Sequence, residues 1–431
     1  MSKEENRKNF SKYVSQNILG MIGFSCYVLA DSYFISIAKG ADGLTALNLV
    51  MPLYSIIFSI GEMIGVGSAI RYAISKIKKD ADADDYFWNA IIWCIMSSMI
   101  FVFAGIFFSS DIMRVLGADE HIVAVGNNYT KIFMCFAPMF MCNYVTNAFV
   151  RNDGAPGIAM SATLFSSLFN IVFDYILMFP MNLGMEGAAL ATALSPIIGM
   201  GICSIHFFSK KSSVRLVVCK PSVRKLVAGS QLGVSAFVGE MSSAVITLAF
   251  NFVILKLTGN VGVAAYGVVA NIAIVTTAVF NGVAQGSQPL ISSCFGMGDK
   301  DGCTQLKRMG YTTAFVLAAV MYSILFIFAE QFVAVFNSEG SEMLRLYATE
   351  GVKLYFIGIF FAGINIVGGG AFSATEDAFK AAVVSVARGF VLILGAVFVM
   401  SALFGMTGVW LAYAVAEGIT TFIMLVMAMR V

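Results

Sequence analysis

Charge is scarce in this sequence. Asp, Glu, Lys and Arg make up 12% of its 431 residues, against about 25% in soluble domains. That scarcity excludes a soluble globular chain, and the mean hydropathy of +0.84 points the same way. A net charge of +2 is too small for a nucleic-acid surface. The eight cysteines are scattered, mostly within apolar runs, with no CxxC pair. They read as small apolar residues rather than a disulfide framework or metal site. HExxH, GxSxG and Walker motifs are missing, which removes the commonest hydrolase and nucleotide-binding chemistries. No cleavable signal peptide is expected: MSKEENRKNFSKYVSQN is polar, and the first apolar run is long enough to span a membrane.

What the chain has in quantity is apolar length. Hydrophobic residues are 59% of the total, and a membrane span needs about 20 of them in a row. Breaks between the runs give twelve candidate helices, at 13–37, 44–75, 86–109, 121–149, 157–180, 185–208, 226–257, 261–295, 304–330, 343–371, 379–402 and 406–429. With the N-terminus inside, this count puts 21 Lys and Arg on the cytoplasmic side, Arg151 and Arg430 among them, and 6 on the other. Such asymmetry places both termini in the cytoplasm. The stretch KKDADADD (78–85) reads as a solvated turn, and His121 and His206 as solvated residues near the membrane surfaces. Pro52, Pro138, Pro196 and Pro289, with GGG at 368–370, interrupt spans and mark bends. Most of the 25 Met and 38 Phe face lipid or core, and a minority suit a pliable pocket.

The chain repeats itself. GADGLTALNLVMPLYSIIFSIGEMIGVGSA (40–69) aligns with GNVGVAAYGVVANIAIVTTAVFNGVAQGSQ (259–288), matching Gly40, Gly43, Ala46, Gly67 and Ser68 to Gly259, Gly262, Ala265, Gly286 and Ser287. Gly184, Met185 and Gly187 match Gly405, Met406 and Gly408 in the same order. The expected fold is an all-α integral membrane protein of two pseudo-symmetric six-helix bundles. Six is even, so both insert the same way, as parallel repeats of transporters do. The expected division is an N-terminal lobe over 1–210, a cytoplasmic linker over 211–225 and a C-terminal lobe over 226–431.

Four acids stand inside candidate spans: Asp31, Glu62, Asp174 and Glu240. Facing lipid, they would cost on the order of 10 kcal/mol together, so each must face a cavity, a partner or a cation. Asn170 lies four residues before Asp174 and shares its helical face. Asp31 and Asp174 both fall in the outward half of the first bundle. Arg388 is the one basic residue clearly inside a span, and it lies nearer the cytoplasm. That leaves protonation or a bound cation to neutralise the acids. The bland alternative is a hydrogen-bonded packing residue. Against it, Asp31, Asp174 and Glu240 fall on Phe250, Gly395 and Met21 in the repeat, so the acids are not needed to build a half. Glu62 falls on Asn281, leaving packing or a lobe-lining polarity open.

Five stretches together resemble one family: LADSYFISIAKGADGLTALNLVMPL (29–53), FVRNDGAPGIAM (149–160), NIVFDYILMF (170–179), GMEGAALATALSP (184–196) and GVAQGSQPLISSCFGMGD (282–299). They resemble the multidrug and toxic compound extrusion (MATE) transporters over nearly the whole chain. The resemblance implies a V-shaped pair of lobes exchanging an inward cation for an outward organic, usually cationic, substrate. In one branch of the family, acids on helices one and five with a nearby Asn and Thr form a cation or proton site. The matching positions are Asp31, Asn170, Asp174 and Thr192, with Tyr129, Asn143 and Asn147 as neighbours. Oxygen ligands suit a hard cation such as Na+; two carboxylates titrating as a pair would need none. Another branch uses an acid on helix seven, which Glu240 matches, with Asn281, Gln285 and Gln288 as further C-lobe candidates for coupling or substrate.

Two other functions compete. A lipid-linked oligosaccharide flippase would need basic residues deep in its cavity, and these are nearly missing. An intramembrane aspartyl-type enzyme would have only Asp31 and Asp174 as a pair. The expectation is therefore a non-enzymatic antiporter coupled to H+ or Na+, without other cofactors. It would sit in a bacterial plasma or inner membrane, with small organic cations and lipids as partners and neither nucleic acid nor an obligate protein partner.

Overall fold

The computed structural model describes residues 3–215, 217–336 and 341–429, so Arg430 lies outside them. Among the described residues the chain is helical throughout, with no strand. Twelve helices follow in order. α1 is Lys3–Gly40 and α2 Asp42–Lys78. α3 is Asp85–Val115, α4 combines Glu120–Cys135 and Ala137–Asn152, α5 is Pro156–Met178 and α6 Gly184–Phe207. Val223–Gly296 divides at Gly259 into α7 (223–258) and α8 (260–296). α9 is Lys300–Ile327, and a short helix, Ala329–Phe336, leads on. α10 runs Glu342–Ala374 through a tight turn at Phe356–Gly358. α11 (378–404) and α12 (406–429) meet at Gly405. A helix covers each of the twelve expected spans. A bilayer leaves no other choice: its interior cannot satisfy open backbone groups, so each long apolar run must close its own hydrogen bonds.

The repeat is written into the backbone. Gly40, Gly259 and Gly405 have φ of 59°, 67° and 59° with ψ of −142°, −155° and −135°, a region essentially restricted to glycine. Nothing lies within 4 Å of where a Cβ would stand at any of the three. Conformation, not space, demands glycine there. Gly184 opens α6 at φ 51°, in register with Gly405. Matched glycines therefore make matched helix breaks.

The proline and glycine expectations divide. Pro138 follows the break in α4, where the two segments bend by 46°. Pro52, Pro196 and Pro289 lie inside helices that continue through them. The GGG run is a correction: Ile359–Ala374 is unbroken across it. A Cβ at Gly368 would stand 2.1 Å from Met424 Sδ, and one at Gly370 3.3 Å from Gln288 Nε2. Close helix packing, not a bend, selects these glycines.

The two lobes, α1–α6 and α7–α12, meet along the side that carries the basic loops. A Cβ on Gly67 would lie 2.0 Å from the Gly229 carbonyl oxygen, and one on Gly233 2.0 Å from that of Met63. Gly282 and Gly286 press the backbone of Ile18 and Val14 as closely, at 2.6 and 2.7 Å to Cα. Arg71 pairs with Glu376 across the same seam and donates from Nε to the Ala228 carbonyl (3.1 Å). The 78–85 stretch is a mostly exposed turn, as expected.

One residue read as solvated is not. His206 is 3% exposed and bonds Asp153 Oδ2 at 2.8 Å. Asp153 also accepts from Tyr72 (3.1 Å) and from Ser213 N (2.8 Å), tying the α6–α7 connection to the N-lobe. Arg151, counted as a loop charge, is 4% exposed. It reaches back into the lobe interface because α4 turns it inward, not toward the loop.

The orientation itself is open to a chemical test. In a cysteine-free background, Asp80→Cys should be protected from a membrane-impermeant thiol reagent applied outside, and Ala118→Cys should react. The opposite pattern would invert the topology drawn from the basic loops.

Candidate functional site

In the N-lobe, α5 carries Asn170 and Asp174 on one face, and α6 presents Thr192 to them. Asp174 and Asn170 are both 0% exposed and Thr192 1%. With its amide oriented to satisfy both ends, Asn170 donates to Asp174 Oδ2 (3.1 Å) and accepts from Thr192 Oγ1 (3.2 Å). Asp31, on α1, lies within electrostatic reach of Asp174. Its 7% exposure is the largest of the four. Beside it, Ile35, Leu47, Val50, Met178 and Met185 belong to one apolar cluster. Asn170, Asp174 and Thr192 are thus hydrogen-bonded together, with Asp31 within electrostatic reach of Asp174.

Two oxygens here stand out. Asp31 Oδ1 and Asp174 Oδ1 are buried with no hydrogen-bond partner among the described residues. Buried polar atoms are nearly always satisfied, and two carboxylates buried within electrostatic reach of each other are costly to leave both charged. A proton on one of them, or a small hard cation between them, would satisfy both. Carboxylate, amide and hydroxyl oxygens are the donors such a cation takes. Among the described residues no group of three or more His, Cys, Asp or Glu could hold a metal ion, so any ion here would lean on the neutral oxygens as well.

The neighbours sort differently. Tyr129 is fully buried and shares a short hydrogen bond with Tyr54, whose ring stacks on Phe133 at 3.6 Å. Both hydroxyls lie within electrostatic reach of Asp31 and Asp174. Asn147 is occupied elsewhere: its Nδ2 donates to the Ala159 carbonyl and to Thr163 Oγ1, each at 3.1 Å, bracing α4 on α5. Asn143 presses its Oδ1 toward Gly199, where a Cβ would approach to 2.7 Å, and that oxygen has no partner. Tyr54 and Tyr27 were not foreseen. Tyr27 sits within electrostatic reach of Asp31, Asp174 and Glu240, between the acids of the two lobes.

Glu62, Glu240, Asn281, Gln285, Gln288 and Arg388 line one cavity at the lobe seam, of about 70 Å³. That is room for a handful of waters rather than a drug-sized molecule. Arg151 donates to Gln285 Oε1 (2.6 Å), and Gln285 Nε2 donates to Glu62 Oε1 (3.2 Å). This relay crosses from α4 to α8 and back to α2. Glu62 is thus partnered. Glu240 is half-buried and makes no hydrogen bond or ion pair among the described residues.

The fifth membrane acid escaped the sequence reading. Glu417, on α12, is 2% exposed and accepts from Arg388 Nη2 (2.7 Å) and Asn365 Nδ2 (2.7 Å). Thr421 completes the chain by donating to Asn365 Oδ1 (3.0 Å). Arg388 itself lies in a one-turn π-helical segment of α11, a distortion frequent at functional sites. The signal was present: a lone arginine inside a span calls for an acid at the same depth. Arg151, buried, and Arg388, half-buried, are both engaged, and neither is a free cation of the kind a pyrophosphate-binding flippase needs.

Comparison with known proteins follows the geometry. The MatE family model matches residues 17–176 and 236–399, one stretch in each lobe. The multidrug export protein MepA of Staphylococcus saprophyticus is 27% identical over 410 residues, covering 93% of this chain and 89% of its own. MepA of Staphylococcus aureus strain MRSA252 is 28% identical over 414 residues, with the same coverage. A solved structure described as the outward-facing conformation of a multidrug resistance MATE family transporter superposes with a TM-score of 0.92 over 99% of this chain and 96% of that one, at 20% identity. A Pyrococcus furiosus transporter of the MOP superfamily, described as having a binding pocket of reversed polarity, gives 0.91. At that identity the two structures speak for the fold.

Proposed function

Since the chain belongs to the MatE family of membrane transporters, and its relatives are multidrug export proteins, we propose that it is an antiporter. It takes in H+ or Na+ and expels small amphipathic, usually cationic, compounds by alternating access of its two lobes across a bacterial plasma membrane. The observation that carries this reading is the Asp31–Asp174 pair, each with a buried oxygen that no group among the described residues satisfies.

The working cycle follows from charge and burial. A proton or cation neutralises the pair and lifts the desolvation penalty on Asp174, so the N-lobe helices can repack. Repacking narrows the space between the lobes and expels substrate. After the ion leaves on the other side, the bare carboxylates favour a cationic substrate again. An ion shifts such an equilibrium only through unequal affinity for the two states, and a pair that must be neutral in one state and charged in the other supplies that inequality. Glu240, facing the seam unpaired, would meet the substrate's positive charge.

Dye transport by purified protein in proteoliposomes, with a pH gradient and a sodium gradient imposed separately, is the direct test. One gradient alone should drive uphill dye movement, and identify the ion. Failure of both with correctly inserted protein would end the antiport reading. In the same assay, Glu240→Gln should slow transport severalfold without abolishing it, because the N-lobe holds a full acid set. Complete loss would move the coupling site to the C-lobe.

A further inference from the structure

We propose that the groove between α1 and α9 is a binding site for one anionic phospholipid, drawn from the leaflet on the basic-loop side. The groove encloses about 510 Å³. One wall is a face of α1 bearing Arg7, Phe10, Val14 and Ile18; the other is a face of α9 from Arg308 to Leu317. The three- and four-residue steps keep each set on one side of its helix.

Length and charge identify the occupant. At 1.5 Å per residue, Ile18 lies about 16 Å along α1 from Arg7, and Leu317 about 14 Å along α9 from Arg308. One leaflet supplies about 15 Å of hydrocarbon. The groove is thus about one acyl leaflet long, lined by Phe10, Val14, Ile18, Met309 and Leu317 with the hydroxyls of Ser11, Ser15, Thr312 and Thr313 between them, and both of its charges are at the same end. No acid lines it. Arg7 and Arg308 are exposed, and neither side chain has an ion pair or hydrogen bond among the described residues. Two free guanidinium forks suit a phosphodiester better than a point charge would. Basic pockets between spans, just below the head-group level, are where anionic lipids bind.

The walls belong to different lobes, joined at the charged end by Asn6 donating to Gln305 Oε1 (3.3 Å). A lipid seated there touches both lobes. It binds this arrangement more tightly than one in which the lobes part at that end, and so biases the protein toward it. This holds whichever ion drives transport.

Native mass spectrometry of the full chain in detergent, titrated with dioleoylphosphatidylglycerol or dioleoylphosphatidylcholine, reads lipid occupancy directly. The first anionic lipid should bind about thirtyfold tighter than the zwitterionic one, at about fivefold per arginine. Arg7→Gln with Arg308→Gln should erase that preference, and Lys210→Gln with Lys211→Gln, distant but equal in charge, should keep it. Leu317→Trp fills the groove and leaves both charges in place, so it should weaken both lipids alike; it carries the test if the arginine variant does not fold. The site does not exist as proposed if the arginine variant keeps the preference or the lysine variant loses it equally. Displacement of the lipid by millimolar inorganic phosphate would likewise overturn it, since the acyl groove would then contribute nothing.

Discussion

Asp174→Asn should reduce gradient-driven dye efflux to the level of protein-free liposomes, while expression, melting temperature and dye binding stay near the parent. Asparagine keeps the size of the side chain and can still accept from the Asn170 amide, so the α5–α6 packing around a 0% exposed position is preserved. What it loses is the ability to change charge. The site becomes permanently neutral, an imposed gradient no longer discriminates between the two arrangements of the lobes, and exchange stops. Asp31→Asn should behave in the same way, as the other half of the pair. Asn170→Ala removes an oriented amide but no charge, so it should weaken coupling rather than abolish it. If purified Asp174→Asn moves dye uphill at the parental rate, the pair is a packing feature and the antiport mechanism written around it is wrong.

Glu417→Ala should be the most destabilising single change in the C-lobe, by about 3–5 kcal/mol. The pair it breaks is enclosed: the Arg388 side chain is 15% exposed and that of Glu417 3%. Removing the acid leaves a guanidinium without its counter-charge and the Asn365 amide without its acceptor, and an unpaired buried charge costs far more than a surface ion pair contributes. Melting of the purified protein, followed by intrinsic fluorescence, should show the loss directly. Replacing both partners by apolar residues of similar volume, Arg388→Met with Glu417→Leu, should restore most of it, because no charge is then stranded. A single variant as stable as the parent would mean that water reaches Arg388 through the seam cavity it lines.

The two outcomes separate two kinds of buried charge. On the proposed reading Asp174 is held for what it can bind and release; Glu417 is held by Arg388. From composition alone the two acids look equivalent, each a carboxylate in an apolar helix. The distinguishing fact is the partner, which lies 29 residues away in sequence for Glu417 and is missing among the described residues for one oxygen of Asp174.

The linear sequence determined the twelve helices and the two-lobe repeat, and it singled out the acids at membrane depth in the N-lobe. The reason is that a bilayer turns each of these into a local constraint. A span needs an unbroken apolar run, a helix break at positive φ needs glycine, and an acid at membrane depth is conspicuous wherever it falls. Gly40 and Gly259 could therefore be matched before their backbones were seen. Only the tertiary structure decided which way each helix turns its side chains and how the lobes meet. Helices apolar on every side carry little periodic signal to fix that rotation. Hence Arg151 points into the seam instead of toward the loop, and Asn147 braces α5 instead of joining the acids. His206 is sealed against Asp153, and Gly67 stands bare against Gly229 because another backbone lies there. Each depends on contacts between segments far apart in the chain, where no local rule reaches.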